Sequence, residues 1–383
     1  GFAAYSYVKL GVYYLDEGAT YSFYKKTFPK SPFAASLIGW YVIFGYISTM
    51  ALYAYTFSSY ALSASAFNNV EWMRKLVAVG IISVFTLINV WSVKGMGKIE
   101  DYMVYTKMII LFLISVMLIV NSDTPLPVLL NDVENIQTMN ILMVASLTFV
   151  AYEGFQLVIN ATNEMPNPKK NIPRAIYSAI FLVAAIYIII SLGAILAIPL
   201  DEIIKNKEYA LASGARDALG HWAGDLVIVG AVLATSSAIS GTVFGSSRQM
   251  AVIADDGYFP EKLAQRKRSI PVYAIMTMSA FASFLILIGG LKLILEFGSI
   301  TFLVVSLLMA YANFVIRDKT ESSMMVTVIA FFSLLAGTIF IFYYEFKHEP
   351  LQMLFILLLY IVLAIAAYAY ARINSKRIQH QKQ

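Results

Sequence analysis

The stretch Thr148-Phe-Val-Ala-Tyr152-Glu153-Gly154-Phe155-Gln156 sets a carboxylate beside a glycine inside an apolar run. At membrane depth a carboxylate costs on the order of +2.5 to +3.5 kcal/mol. A glycine there gives up helix stability and lets the backbone open towards a ligand. A segment carrying both is built around a polar event. The apolar run continues to Ile159 and gives way to Asn160-Ala-Thr-Asn163-Glu164-Met-Pro166-Asn-Pro168-Lys169-Lys170-Asn-Ile-Pro173-Arg174. The prolines end one helix, and Pro173 is suited to begin the next, since a first helical turn tolerates a missing N–H. Two readings of the glycine stand side by side. One is a helix broken at 152–154, tolerated only where the freed backbone faces protein or a water-filled cavity. The other is a continuous helix with Glu153 paired to a neighbour.

The surroundings are those of a membrane protein. Hydrophobic residues make up 59% of the chain and charged ones 13%, and the mean hydropathy is +0.71, far more apolar than a soluble domain. Runs long enough to span, roughly 17–25 residues each, fall near 33–63, 72–92, 100–121, 139–161, 173–199, 225–254, 271–290, 293–315, 322–344 and 350–371. Residues 1–15 read as the inner end of one more, so the chain is expected to lack its true N-terminus, not to follow a cleaved signal. Little polar sequence separates the spans, which predicts one transmembrane domain over 1–383 with a tail at 372–383.

Loop charge orients the spans. One set of loops carries Lys25, Lys26, Lys30, Lys94, Lys98, Lys169, Lys170, Arg174, Lys262, Arg266, Lys267, Arg268, Arg317 and Lys319, and the tail adds Arg372, Lys376, Arg377 and Lys382. The alternate loop at 121–138 has no Lys or Arg but carries Asp123, Asp132 and Glu134. The C-terminus is therefore expected in the cytoplasm. Basic residues scattered over loops suit anionic lipid headgroups and not nucleic acid. With no cysteine there is no disulfide or thiolate chemistry, which fits a prokaryotic inner membrane. His221, His348 and His380 are dispersed in loops and tail, with no HExxH, so no metal site or cofactor is expected. The lack of a GxxxxGK[ST] loop implies no ATP.

Three motifs in register carry a resemblance. They are Phe149-Val-Ala-Tyr152-Glu-Gly154-Phe155 with Glu164-Met-Pro-Asn167-Pro168-Lys-Lys-Asn-Ile172-Pro173-Arg174-Ala175-Ile176, then Ser247-Arg248-Gln-Met-Ala251-Val-Ile-Ala254-Asp255-Asp-Gly257-Tyr-Phe-Pro260, and Ala4-Tyr-Ser-Tyr-Val-Lys9-Leu10-Gly11. The chain resembles the amino acid–polyamine–organocation superfamily of permeases, and its proton-coupled branch in particular. The resemblance implies an all-α polytopic fold of twelve helices. The first ten form two inverted five-helix repeats, and helices 1 and 6 are unwound at the substrate site. This chain would supply the remnant of helix 2 and helices 3 to 12, with 139–161 as helix 6. Helix 1, with its glycine-rich break, would be absent, and helices 3, 6 and 8 would then face a void expected to destabilise the bundle.

Lys107 lies in Tyr102-Met-Val-Tyr-Thr-Lys107-Met-Ile-Ile-Leu-Phe, a span otherwise without charge. Snorkelling to the interface is one reading, though the lysine sits more than a turn inside the boundary. The resemblance implies the other: a helix-5 lysine that exchanges protons where sodium-coupled relatives hold a cation. Gly230, Ala234, Ser237, Gly241 and Gly245 recur every three or four residues, a small-residue stripe for close packing. Ser236, Ser237 and Ser240 are candidates to hold Lys107, or else bond back to their own helix. Arg248, near the inner end of that span, is expected to pair with an acid at the cytoplasmic mouth. Residues 200–222 are amphipathic: a lid over the outer vestibule by resemblance, a surface helix by pattern. Tyr46, Tyr53 and Tyr60 fall seven apart on one face and read either as packing or as site lining.

The resemblance implies a secondary active transporter that moves amino acids or related amines across the membrane by alternating access, coupled to protons. The substrate-binding candidates are Phe149, Ala151, Tyr152, Glu153, Gly154 and Phe155. The proton-coupling candidates are Lys107, Ser236, Ser237 and Ser240. An exchanger or uncoupled facilitator is the alternative, with a nutrient sensor on the same fold, a channel or a membrane enzyme behind it. Dispersed histidines argue against the enzyme.

Overall fold

Apolar runs of this length fold as helices because only a helix satisfies every backbone group of the segment without water. The computed structural model describes residues 1–68, 70–91, 94–122 and 138–381, and of these not the side chains of 94–99, 164 and 375–381. Asp123, Asp132, Glu134 and Lys382 thus lie outside the described residues, as do the side chains of Lys94, Lys98, Glu164, Lys376, Arg377 and His380. In chain order the helices are α1 Phe2–Tyr14, α2 Ala19–Thr27, α3 Pro32–Leu62, α4 Glu71–Trp91, α5 Lys94–Val120 and α6 Thr138–Leu147. Two 3₁₀ segments follow, Phe149–Tyr152 and Phe155–Glu164. Then come α7 Pro168–Ala197, α8 Leu200–Asn206, α9 Ala210–Leu219, α10 His221–Asp255 and α11 Val272–Ile288. The chain closes with α12 Leu291–Val315, α13 Arg317–Thr320, α14 Met324–His348 and α15 Pro350–Gln381.

Among the described residues eight helices are long and apolar enough to cross a membrane: α3, α4, α5, α7, α10, α12, α14 and α15. α6 joins the 3₁₀ segments as a further span bent by 57°, and α11 is a shorter apolar helix. These correspond to the ten apolar runs of the sequence. The boundaries differ where local chemistry overrides hydropathy. α7 begins at Pro168, not Pro173, because Pro168 already occupies the first turn behind Asn167, whose φ of +47° reverses the chain; Pro173 lies inside the helix. α10 starts at His221, where Gly220 at φ +97° turns the chain out of α9.

Burial separates centre from periphery. In α3 and α12 72% of the apolar stretch is buried, against 11% in α7. The outer helices turn large side chains outwards, as at Phe181, Leu87 and Trp91. A belt of this kind is untenable in water and natural against lipid. The small-residue stripe of α10 does what its spacing predicts. Gly230 faces Ile110 of α5, Gly241 faces Glu100 of α5, and Gly245 faces Leu157 after the bend. Residues 200–222 form α8 and α9, tied down by ion pairs Arg74–Glu208 and Arg216–Asp225.

The end that carries the lysine-rich loops, here the basic end, is fastened by polar contacts. Asp256 accepts from Tyr21 Oη at 2.8 Å and pairs with Lys25 at 2.6 Å, while its carbonyl accepts from Asn374 Nδ2 at 2.6 Å. Asn163 Nδ2 donates to Glu17 Oε2 at 3.1 Å, tethering the segment after the bend to the α1–α2 turn. In that turn Asp16 pairs with Lys26 and accepts from the Gly18 amide at 2.8 Å. Burial alone raises the Asp16 carboxyl, but the Lys26 ammonium and the Gly18 amide outweigh it and hold it below the ordinary aspartate range.

Two predictions follow from these contacts. A Cβ on Gly193 of α7 would lie 2.9 Å from the Ser115 carbonyl of α5, whereas one on Gly80 meets nothing within 4 Å. Gly193→Leu should therefore lower stability by about 1–3 kcal/mol and Gly80→Ala should not, read as thermal midpoints in detergent. A depressed carboxyl contributes stability that is present above its unfolded pKa and lost as pH falls through the folded value. Asp16→Asn should accordingly lower the midpoint at neutral pH, and the gap to wild type should close on acidification below the aspartate range.

Candidate functional site

The bend around Glu153 starts earlier than the glycine implies. α6 ends at Leu147, and the backbone runs as 3₁₀ turns from Phe149, with Glu153 extended at ψ 160° and Gly154 at φ +111°. The last angle is one a side chain rarely adopts, so glycine is required there. Of the two readings of the sequence, the broken helix is the one observed. Leaving α-helical geometry frees carbonyls, and neighbouring side chains take them up. Ser299 Oγ of α12 donates to the Leu147 carbonyl at 2.7 Å. Tyr187 Oη of α7 donates to the Ala151 carbonyl at 2.9 Å. Past the bend, Asn160 Nδ2 donates to the Gly245 carbonyl of α10 at 3.2 Å.

Beside the break lies a cavity of about 440 Å³, lined by Ala151, Tyr152, Glu153, Gly154 and Phe155, by Lys107 of α5, and by parts of α3, α7 and α10. Glu153 Oε1 accepts from Ser306 Oγ of α12 at 3.2 Å, and Oε2 is buried without a hydrogen-bond partner. A carboxylate oxygen in that state is costly to hold and is open to a donor that enters the site. The Tyr152 ring meets Tyr187 edge-on at 5.2 Å between centroids, and Phe155 meets Tyr7 of α1 edge-on at 5.3 Å.

Lys107 Nζ donates to Ser237 Oγ at 2.7 Å, and that hydroxyl donates on to the Ala234 carbonyl at 3.2 Å. The serine proton is thus occupied and its lone pairs face the lysine. Glu100 stands seven residues, two helical turns, before Lys107 on the same face of α5.

The structure thus gathers six of the ten candidates around one cavity: Lys107 and the run Ala151 to Phe155, with Ser237 touching the lysine. It does not bring the other three there. Phe149 lines a separate cavity between α1, α6 and α14. Ser236 and Ser240 are buried on α10 but outside the lining. The tyrosine stripe of α3 divides: Tyr53 lines the cavity, Tyr46 packs on Phe302, and Tyr60 packs against the α5–α9 cluster. Arg248 lies over the Phe244 ring, 3.5 Å from its centroid. Sequence reasoning missed Tyr187, Thr235, Ser299 and Ser306. Nothing in their local pattern marks them, since each serves a group on another helix. Glu100 had a usable signal in its seven-residue spacing from Lys107.

Comparison with known proteins covers most of the chain. The profile of the amino acid permease family matches residues 1–367. An uncharacterised protein of Methanocaldococcus jannaschii, MJ0609, is 26% identical over 89% of this chain and 78% of its own length. The large neutral amino acids transporter small subunit 2 of Homo sapiens is 30% identical over 71% of this chain and 52% of its own length. The serine/threonine exchanger SteT of Bacillus subtilis is 25% identical over 82% of this chain and 71% of its own. The chain spans about half the length of the human relative. A family match over nearly the whole chain, on a membrane architecture helical almost throughout the described residues and broken at the glycine motif, has one reading: this chain belongs to the amino acid permease family, a family of transporters and not of enzymes.

Proposed function

We propose that the protein is a secondary active transporter that carries amino acids or related amines by alternating access, driven by protons. One observation supports this most: a broken span, an unsatisfied carboxylate oxygen and a lone intramembrane lysine border a single cavity. Backbone groups and dipole ends at a break are suited to the amino and carboxylate groups of a zwitterion. Glu153 Oε2 is the acceptor for a substrate ammonium, and Tyr152 with Tyr187 forms an aromatic wall beside it. Phe149, outside the cavity, is assigned a supporting role in seating the break.

Lys107 is the proton-exchanging group in this reading. Its charged form is held by Ser237, and loss of its proton weakens that contact. Differential contacts of that kind are what a coupling ion needs in order to bias two conformations. Ser236 and Ser240 back the same helix. The single transmembrane domain, a cytoplasmic C-terminus and a place in a prokaryotic inner membrane are part of the same proposal, supported in turn by the short polar stretches between spans, the loop charges and the absence of cysteine. The exchanger reading is retained for one reason: the Bacillus subtilis relative is named a serine/threonine exchanger.

Two variants test it. Lys107→Ala should abolish accumulation driven by an inward proton gradient while leaving counterflow exchange; unchanged pH dependence of uptake removes the coupling role. Glu153→Gln should raise KM for an amine-bearing substrate by about tenfold or more, the loss of a hydrogen bond to a charged group. Identical kinetics across a substrate panel would return Glu153 to a structural role.

A further inference from the structure

Three lysines from distant parts of the chain meet at one crevice of about 640 Å³ at the basic end. They are Lys9 on α1, Lys169 at the start of α7 and Lys319 on α13. Among the described residues none of the three enters an ion pair, whereas Lys25 and Lys26 at the same end are each held by an aspartate. Glu321 also lines the crevice, yet it is its backbone carbonyl that accepts from Lys9 Nζ, at 2.8 Å. Three ammonium groups against the single carboxylate of Glu321 leave the crevice net positive, so an anion seated there is favoured.

Position narrows the anion. Tyr13 and Tyr177 line the crevice and are 44% and 42% exposed, the disposition of aromatic residues at headgroup depth. Phe181 follows Tyr177 by one helical turn on the same face of α7 and is 77% exposed. A cationic crevice therefore leads directly onto an apolar, outward-facing flank. Val8 and Pro173 add an apolar share to the lining. An inorganic anion would use the lysines alone, but a phospholipid would use both the lysines and the flank.

We propose that this crevice binds the phosphate of an anionic phospholipid, whose acyl chains lie along the Tyr177–Phe181 flank of α7. Basic pockets between membrane helices recognise such headgroups in this way. The proposal rests on the membrane placement of the bundle and not on the transport reading, so the two fail independently.

The test is native mass spectrometry of the detergent-purified protein, titrated with phosphatidylglycerol or phosphatidylcholine of matched chains. Wild type should retain phosphatidylglycerol preferentially. Lys9→Gln/Lys169→Gln/Lys319→Gln should weaken it by about fivefold per lysine and on the order of 100-fold together. Lys30→Gln/Lys262→Gln/Lys267→Gln removes the same charge from the same end and should change retention less than about twofold. Equal loss in both triple variants, or no preference for the anionic lipid, would overturn the site. Inorganic phosphate competing as well as lipid phosphate would overturn the lipid assignment in favour of a free anion. If the triple variant does not fold, Lys319→Gln and Lys169→Gln singly read the same ratio, and no loss in either overturns the proposal.

Discussion

The whole arrangement depends on how a membrane protein accommodates backbone groups that leave the helix at mid-span. Lipid offers them no partner, and each group left unsatisfied in hydrocarbon costs several kcal/mol. Here the Leu147 and Ala151 carbonyls are taken up by Ser299 of α12 and Tyr187 of α7. The bend is thereby anchored on two sides, one against the buried α12 and one against the peripheral α7. A position held from both sides can keep Glu153 and Gly154 at the cavity with little freedom to anneal back into a helix.

The second constraint is charge. Lys107 and Glu153 border the same cavity, and each is met by a serine from a more buried helix: Ser237 for the lysine, Ser306 for the carboxylate. Single hydroxyl contacts stabilise a buried charge less than an ion pair would. In the proposed reading this leaves both groups responsive to a substrate or a proton. The basic end follows the opposite rule, with Asp256 and Asp16 in close ion pairs and several backbone contacts.

Much of this was legible in the sequence. Hydropathy located the spans because membrane helices are marked by one dominant variable, and glycine next to glutamate flagged the break because both are costly there. The small-residue stripe of α10 found its partners for the same reason: close approach has few other solutions. What escaped was relational. The break begins at Thr148, before the glycine, where Ser299 donates to the Leu147 carbonyl, and no local pattern encodes that contact. Phe149 reads like its neighbours in the motif, yet the 57° bend between α6 and the 3₁₀ segments turns it away from the cavity. Pro173 looked like a helix start, but Pro168 already served.

The most direct test of the central claim is uptake of radiolabelled amino acids by the full-length protein in proteoliposomes, with and without an inward proton gradient. The account predicts saturable uptake, competed by unlabelled substrate and raised by the gradient. Absence of uptake of any amino acid, with or without the gradient, would contradict it.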